Sequence, residues 1–210
     1  MGRCMGIFVK ICGCCSRRDV DAVAALNPDA VGFVFWPGSP RYVAPATVGE
    51  WTTDWPVSIA RVGVFVDASR DEIHTAMDAA HLDIAQLHGG ESPEFCAALH
   101  RRYWKAIHLN RPLPERLEAY SAEAFVVDHH GATQPGGTGT TVERAVARTF
   151  VADAPRNVVL AGGLHVGTVQ QAIRAVHPWG VDVSSGVERE PGKKDIGQVK
   201  EFIEQCRNAD

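Results

Sequence analysis

Eight short runs rich in Val, Ile, Phe and Ala recur along the chain, each followed by glycine or polar residues. They are Ile7–Cys12, Ala30–Phe35, Ala60–Val66, Ile84–His88, Trp104–Leu109, Ala124–Asp128, Asn157–Ala161 and Val181–Ser184, with starts 20 to 33 residues apart. That spacing is the length of a strand followed by a helix, and alternating strands and helices build a parallel sheet covered by helices. Eight units predict a closed (β/α)8 TIM barrel, for which 210 residues is near the lower limit. An open doubly wound sheet is the alternative. It lacks its signature here, a G-x-G-x-x-G turn after the first strand. With no linker and no low-complexity stretch, residues 1–210 read as one barrel domain.

Helical spacing supports the intervening segments. Asp19–Leu26 follows Ser16, Arg70–Ala80 follows Ser69, and Pro93–Arg102 follows Ser92 with proline in the first turn. Thr168–Val176 and Ile196–Cys206 each gather apolar residues on one face. The segments after the second, fifth and sixth strands have weaker patterns.

Composition excludes several classes. The formal net charge of −4 argues against a nucleic-acid partner, which needs a basic face. No apolar run reaches the roughly 18 residues of a membrane span, and the opening residues carry no secretory pattern. The six cysteines, Cys4, Cys12, Cys14, Cys15, Cys96 and Cys206, form neither a small disulfide framework nor a spaced zinc set. A cytoplasmic protein without bound metal is expected.

In such a barrel, chemistry sits on the loops at the C-terminal strand ends. The candidates are then Cys12, Trp36 to Arg41, Asp67, His88, Asp128 with His129 and His130, Gly162-Gly163, and Ser184-Ser185-Gly186. Three glycine-rich segments, Gly136 to Gly139, Ala161 to Leu164 and Ser184 to Gly186, follow the last three strands. Glycines let backbone amides approach an anion, and loops seven and eight are the usual phosphate site of the fold. A phosphorylated ligand is expected.

Cys12 reads either as a small buried hydrophobe or as a thiol facing the barrel mouth. Lys10, two residues earlier, shares its face, so an inward Cys12 makes Lys10 an inward charge in need of a partner. Asp182, in the strand that closes the barrel, is the expected one. Asp128 ends a buried strand, where a carboxylate is more often a site residue than a surface one. Arg41 could clamp a carboxylate bidentately or sit on the surface. His88, His108, Asp67 and Gln86 are lesser candidates.

Together these blocks resemble the phosphoribosylanthranilate isomerase family of tryptophan biosynthesis. The resemblance rests on Val9-Lys10-Ile11-Cys12-Gly13, Gly32 to Phe35 with Ser39-Pro40-Arg41, Val62 to Phe65 and Gln86 to Gly89. It continues through Gly136 to Gly139, Leu160 to Leu164, Val181 to Glu188 and Pro191 to Asp195. It implies a cofactor-free isomerase that performs an Amadori rearrangement on N-(5′-phosphoribosyl)anthranilate. It implies Cys12 as general base, Asp128 as general acid and Arg41 for the anthranilate carboxylate. Gly137, Gly139, Gly162, Gly163, Ser184, Ser185 and Gly186 would hold the phosphate. Members occur as monomers or homodimers.

The chemistry wants an aspartic acid raised from about 3.9 and a thiol lowered from about 8.5, so a site pushing the two values together is expected. Three positions depart from the family's usual pattern: Cys14-Cys15, the Thr140 to Arg144 segment and Gly167. Two other readings remain. One is a related phosphosugar isomerase with an altered substrate. The other is a non-catalytic ligand-binding or redox-sensing barrel that uses the cysteine cluster.

Overall fold

The β-branched runs pair side by side in chain order and close on themselves. In the computed structural model, which describes residues 6–109, 113, 116–128 and 141–209, the strands are β1 (Phe8–Cys12), β2 (Ala30–Val34), β3 (Ala60–Phe65) and β4 (Ile84–Leu87). The circle continues through β5 (Tyr103–His108), β6 (Ala124–Asp128), β7 (Asn157–Ala161) and β8 (Gly180–Val183). Every neighbouring pair is parallel, and β8 pairs with β1 to complete an eight-stranded barrel. The (β/α)8 expectation holds, with half of the strand limits moved by one residue and the rest unchanged.

Alternation along each strand sorts the core into two layers. One side chain in two points into the barrel, where Ala30, Val62, Ile84, Trp104, Ala124, Val126, Val159 and Ala161 form one cluster. The others point outward into the larger cluster shared with the helices. The N-terminal end of the barrel is plugged by aromatics. Phe8 stacks on Trp179 with centroids 4.5 Å apart, and fully buried Trp104 meets both edge-on at 5.7 and 6.3 Å.

The helices are α1 (Arg17–Ala24), α2 (Pro45–Trp51), α3 (Arg70–Ala79), α4 (Pro93–Ala97), α5 (Thr141–Asp153), α6 (Val169–Val176) and α7 (Ile196–Arg207). The serines act as caps. Ser16 accepts from Asp19 N, Ser92 from Phe95 N, and Ser69 forms a reciprocal capping box with Glu72. Each such cap is worth about 1 kcal/mol. Asp195 caps α7 in the same way.

Two expectations need correction. The helix expected to run to Arg102 stops at Ala97. Leu99 is fully buried, and His100 adopts the left-handed conformation (φ 50°), which turns the chain into β5. After β5 the described residues hold only a 3-10 turn, Leu117–Ala119. A further feature is a two-stranded antiparallel ribbon after β8, with β9 at Glu188–Glu190 and β10 at Lys193–Lys194. Among the described residues no helix is long and apolar enough to cross a membrane.

Candidate active site

Period-two alternation carries Cys12, His88, His108 and Asp128 to the rim. Trp104, Ala124 and Val126 face inward, so His108 and Asp128, at even offsets from them, share that face at the C-terminal ends of β5 and β6. His108 and Asp128 are register partners. His88 follows β4, and its ring lies 5.0 Å from that of His108. Burial and the neighbouring His108 lower the pKa of His88, while Asp128 pulls against them. Burial and His108 thus disfavour the charged imidazolium form of His88.

On the opposite wall, Lys10 and Cys12 rise from β1. Lys10 is fully buried and donates from Nζ to Asp182 Oδ2 at 2.7 Å, so the expected pair forms. Burial pulls the lysine pKa down, and Asp182 with Cys12 more than restores it. Asp182 Oδ1 and Gln86 Oε1 are buried and accept no hydrogen bond from any described residue. Gly32 of β2 makes room for this wall. A methyl there would come within 2.6 Å of Cys12 Sγ and 3.0 Å of Lys10 Cε.

Cys12 is only 7% exposed. Its pKa is raised, with burial the largest cause and the Lys10 charge opposing it. This corrects the expectation of a lowered thiol pKa: the dry wall disfavours the thiolate more than the lysine favours it. Burial acts on its neighbours in the same direction. Cys14 is fully buried and pushed up to about 12 by burial. Cys15 Sγ donates to the Gly13 and Arg41 carbonyls and is likewise raised by burial. A reactive redox cluster needs exposed thiols of low pKa; Cys12 and Cys14 are buried, Cys15 is part-exposed, and the pKa of each of the three is raised.

Arg41 reaches the same rim from the loop after β2. Its Cδ would lie 2.7 Å from a methyl on Gly13, and Ser184 Oγ 3.0 Å from it, so three loops meet at that glycine. The guanidinium is held bidentately by Glu188: Nε to Oε1 at 2.9 Å and Nη2 to Oε2 at 2.6 Å. Lys194, fully buried, donates to Glu188 Oε1 at 2.8 Å and to the Ser184 carbonyl at 3.1 Å. Asp19 of α1 accepts from the Lys194 backbone N–H. The ribbon β9–β10 thus ties α1, Arg41 and Ser184 together.

The other half of the rim is built from glycines. Gly162 and Gly163 both have positive φ, 80° and 61°. Gly186 is pressed against the preceding loop, where a methyl would overlap the Leu164 carbonyl oxygen at 1.9 Å. Loops seven and eight therefore abut at Gly186. Gly137 and Gly139, with His129 and His130, lie outside the described residues. Among the described residues no group of three or more His, Cys, Asp or Glu is placed to hold a metal ion.

A model of the family described as N-(5′-phosphoribosyl)anthranilate (PRA) isomerase matches residues 9–205. The chain belongs to the N-(5′-phosphoribosyl)anthranilate isomerase family. A family member from Pelobacter propionicus is 42% identical over 198 residues, covering 94% of both chains. The phosphoribosylanthranilate isomerase of Thermotoga maritima superposes with a TM-score of 0.86 at 33% identity, over 95% of this chain and 98% of that one. A phosphoribosylanthranilate isomerase solved in complex with reduced 1-(o-carboxyphenylamino)-1-deoxyribulose 5-phosphate superposes with a TM-score of 0.81 at 32% identity, over 95% of this chain and 98% of that one.

The structure gathers Cys12, Arg41 and Ser184 on one side of this isomerase-family rim and Asp128 with His88 and His108 on the other. Asp67 instead braces loop four: its Oδ1 accepts from Gly90 N at 2.7 Å. Gln86 is core. Sequence reasoning gave no role to Glu188 and Lys194, although both stand in the blocks that carry the resemblance. It also missed the second buried clamp, in which Lys105 donates to Glu91 at 2.9 Å and to the Leu87 and Gly89 carbonyls flanking His88. The available signal was the same in both cases: a lysine in or beside a buried strand needs a carboxylate.

Proposed function

We propose that this chain isomerises N-(5′-phosphoribosyl)anthranilate to 1-(2-carboxyphenylamino)-1-deoxyribulose 5-phosphate, with Cys12 as general base and Asp128 as general acid. Support comes from the placement of a thiol and a carboxyl group at inward strand ends of β1 and β6, in a chain of this family. Asp128 gives its proton to the furanose ring oxygen as the C1′–O bond breaks. The anthranilate nitrogen lone pair forms the C1′=N bond of a protonated Schiff base. Cys12, as thiolate, removes the C2′ proton, and the C–H electron pair forms C1′=C2′ while the C1′=N electrons return to nitrogen. The enolamine gains a proton at C1′ and loses one from the C2′ hydroxyl, which leaves the ketone.

The other residues bind. Arg41 keeps one edge of its guanidinium on Glu188 and offers the opposite edge to the anthranilate carboxylate. The phosphate rests on loops seven and eight, at Gly162, Gly163, Ser184, Ser185 and Gly186, together with Gly137 and Gly139. Glycines there allow close backbone approach to an anion. No metal or organic cofactor takes part. The enzyme acts in the cytoplasm as a monomer or homodimer, without nucleic acid.

General acid–base groups typically contribute about 10²–10⁴-fold, so Cys12→Ala and Asp128→Asn should each cost at least about 100-fold in turnover with folding intact. A variant that retained near-normal turnover would remove its residue from the mechanism.

A further inference from the structure

A thiol whose pKa is raised by burial is a poor base, so something in the site must favour its ionised form. Charged or titratable groups around Cys12 are Lys10 on its own strand, Asp182 on β8, Lys194 on β10, Arg41 after β2, and the thiols of Cys14 and Cys15. Neighbouring β2 contributes Gly32, which carries no charge and no side chain.

Of these cations, Lys10 is the one built against the sulfur. It lies two residues before Cys12 on the inward face. Its Cε and the Cys12 sulfur flank the space that a methyl on Gly32 would fill, at 3.0 and 2.6 Å. It is fully buried, so solvent does not screen its charge. Arg41 and Lys194 both spend their charge on Glu188. Lys10 is held by Asp182 through one oxygen, Oδ2.

We propose that Lys10, anchored by Asp182, is the positioning residue that makes the Cys12 thiolate attainable in a dry wall. The ammonium stands beside the sulfur as charge develops on it, and Asp182 sets how much of that charge the sulfur feels. Its role in turnover rests on the reading of Cys12 as the general base; its effect on the thiol does not.

The two residues should therefore act on the thiol with opposite signs. Lys10→Met removes the cation and leaves the anion. Asp182→Asn removes the anion, so that the buried Lys10 ammonium has the Cys12 sulfur as its remaining anionic partner. The measurement is the pH dependence of iodoacetamide alkylation at Cys12 in the purified chain, with fragment-ion mass spectrometry placing the label on residue 12. The pH midpoint is read only on variants whose Tm shows the fold intact, because a loosened structure would hydrate the thiol and lower the midpoint by itself.

The midpoint should rise in Lys10→Met, lowering the reactive fraction at neutral pH at least about ten-fold, and fall in Asp182→Asn. Lys10→Arg should restore much of the Lys10→Met change. If Lys10→Met does not fold, the sign of the Asp182→Asn shift decides. An unchanged midpoint, or a shift in the same direction in both variants, overturns the proposal.

Turnover is read separately. If the midpoint moves as stated but the acid limb of kcat/KM does not follow it, Lys10 still tunes the thiol, and it is Cys12 as the base that fails.

Discussion

Replacing Glu188 by glutamine keeps its shape and deletes its charge. In the native chain that carboxylate accepts two short bonds from Arg41 and one from Lys194, and its side chain is only 3% exposed. Lys194 is fully buried and would be left with the Ser184 carbonyl. Breaking one partner of a buried ion pair costs about 3–5 kcal/mol. Arg41 is 20% exposed and can recover some hydration, which favours the lower end.

In a chain of this size 1 kcal/mol moves Tm by roughly 2–4 °C, so a fall of about 6–12 °C is expected. The pH dependence has a definite sign. Burial pushes the Glu188 carboxyl up, but Arg41 and Lys194 outweigh it and hold it below the ordinary carboxylate range. Its stabilisation is therefore complete above the unfolded pKa of about 4.3 and is lost as pH falls through the lower folded value. Calorimetry from pH 7 to pH 3 should show that Glu188→Gln destabilises most near neutrality and progressively less in acid. The double variant Glu188→Gln, Lys194→Met should regain most of the loss. A Tm change under about 2 °C at pH 7, or a deficit independent of pH, would refute the idea that this network fastens the rim.

Three further outcomes follow from the geometry. Gly32→Ala would set a methyl 2.6 Å from the Cys12 sulfur, about 1 Å inside van der Waals contact, and pushing the sulfur aside by about 1 Å should cost about 100-fold in kcat, measured by steady-state kinetics at intact Tm. Gly186→Ala would drive loop eight off the Leu164 carbonyl; KM for the phosphorylated substrate should rise more than kcat falls, and inhibition by inorganic phosphate should weaken. Trp104→Ala would empty the aromatic plug at the far end of the barrel, costing about 3–5 kcal/mol in denaturant unfolding with little change in kcat.

The barrel was legible because parallel strands buried on both faces are nearly continuous apolar runs and recur at a regular interval. The Lys10–Asp182 pair was legible for a related reason. A side chain two residues before a strand end shares its face, and β8 must neighbour β1 once the barrel closes. The Arg41–Glu188 pair was not, since its partners are 147 residues apart on loops whose paths follow no periodicity. The β9–β10 ribbon was missed because its charged residues show no alternation of apolar and polar. The over-long α4 came from helical spacing that continued through Leu99, while the left-handed turn at His100 carries no glycine to mark it. The raised thiol pKa of Cys12 depends on burial in three dimensions, which a motif does not record.

The most direct measurement is the loss of fluorescence of N-(5′-phosphoribosyl)anthranilate on addition of the purified chain, run beside Cys12→Ala and Asp128→Asn. The native chain should consume the compound and yield the carboxyphenylamino ketose phosphate. Both variants should be slowed at least about 100-fold. An inert native chain, or variants that keep pace with it, would contradict the central claim.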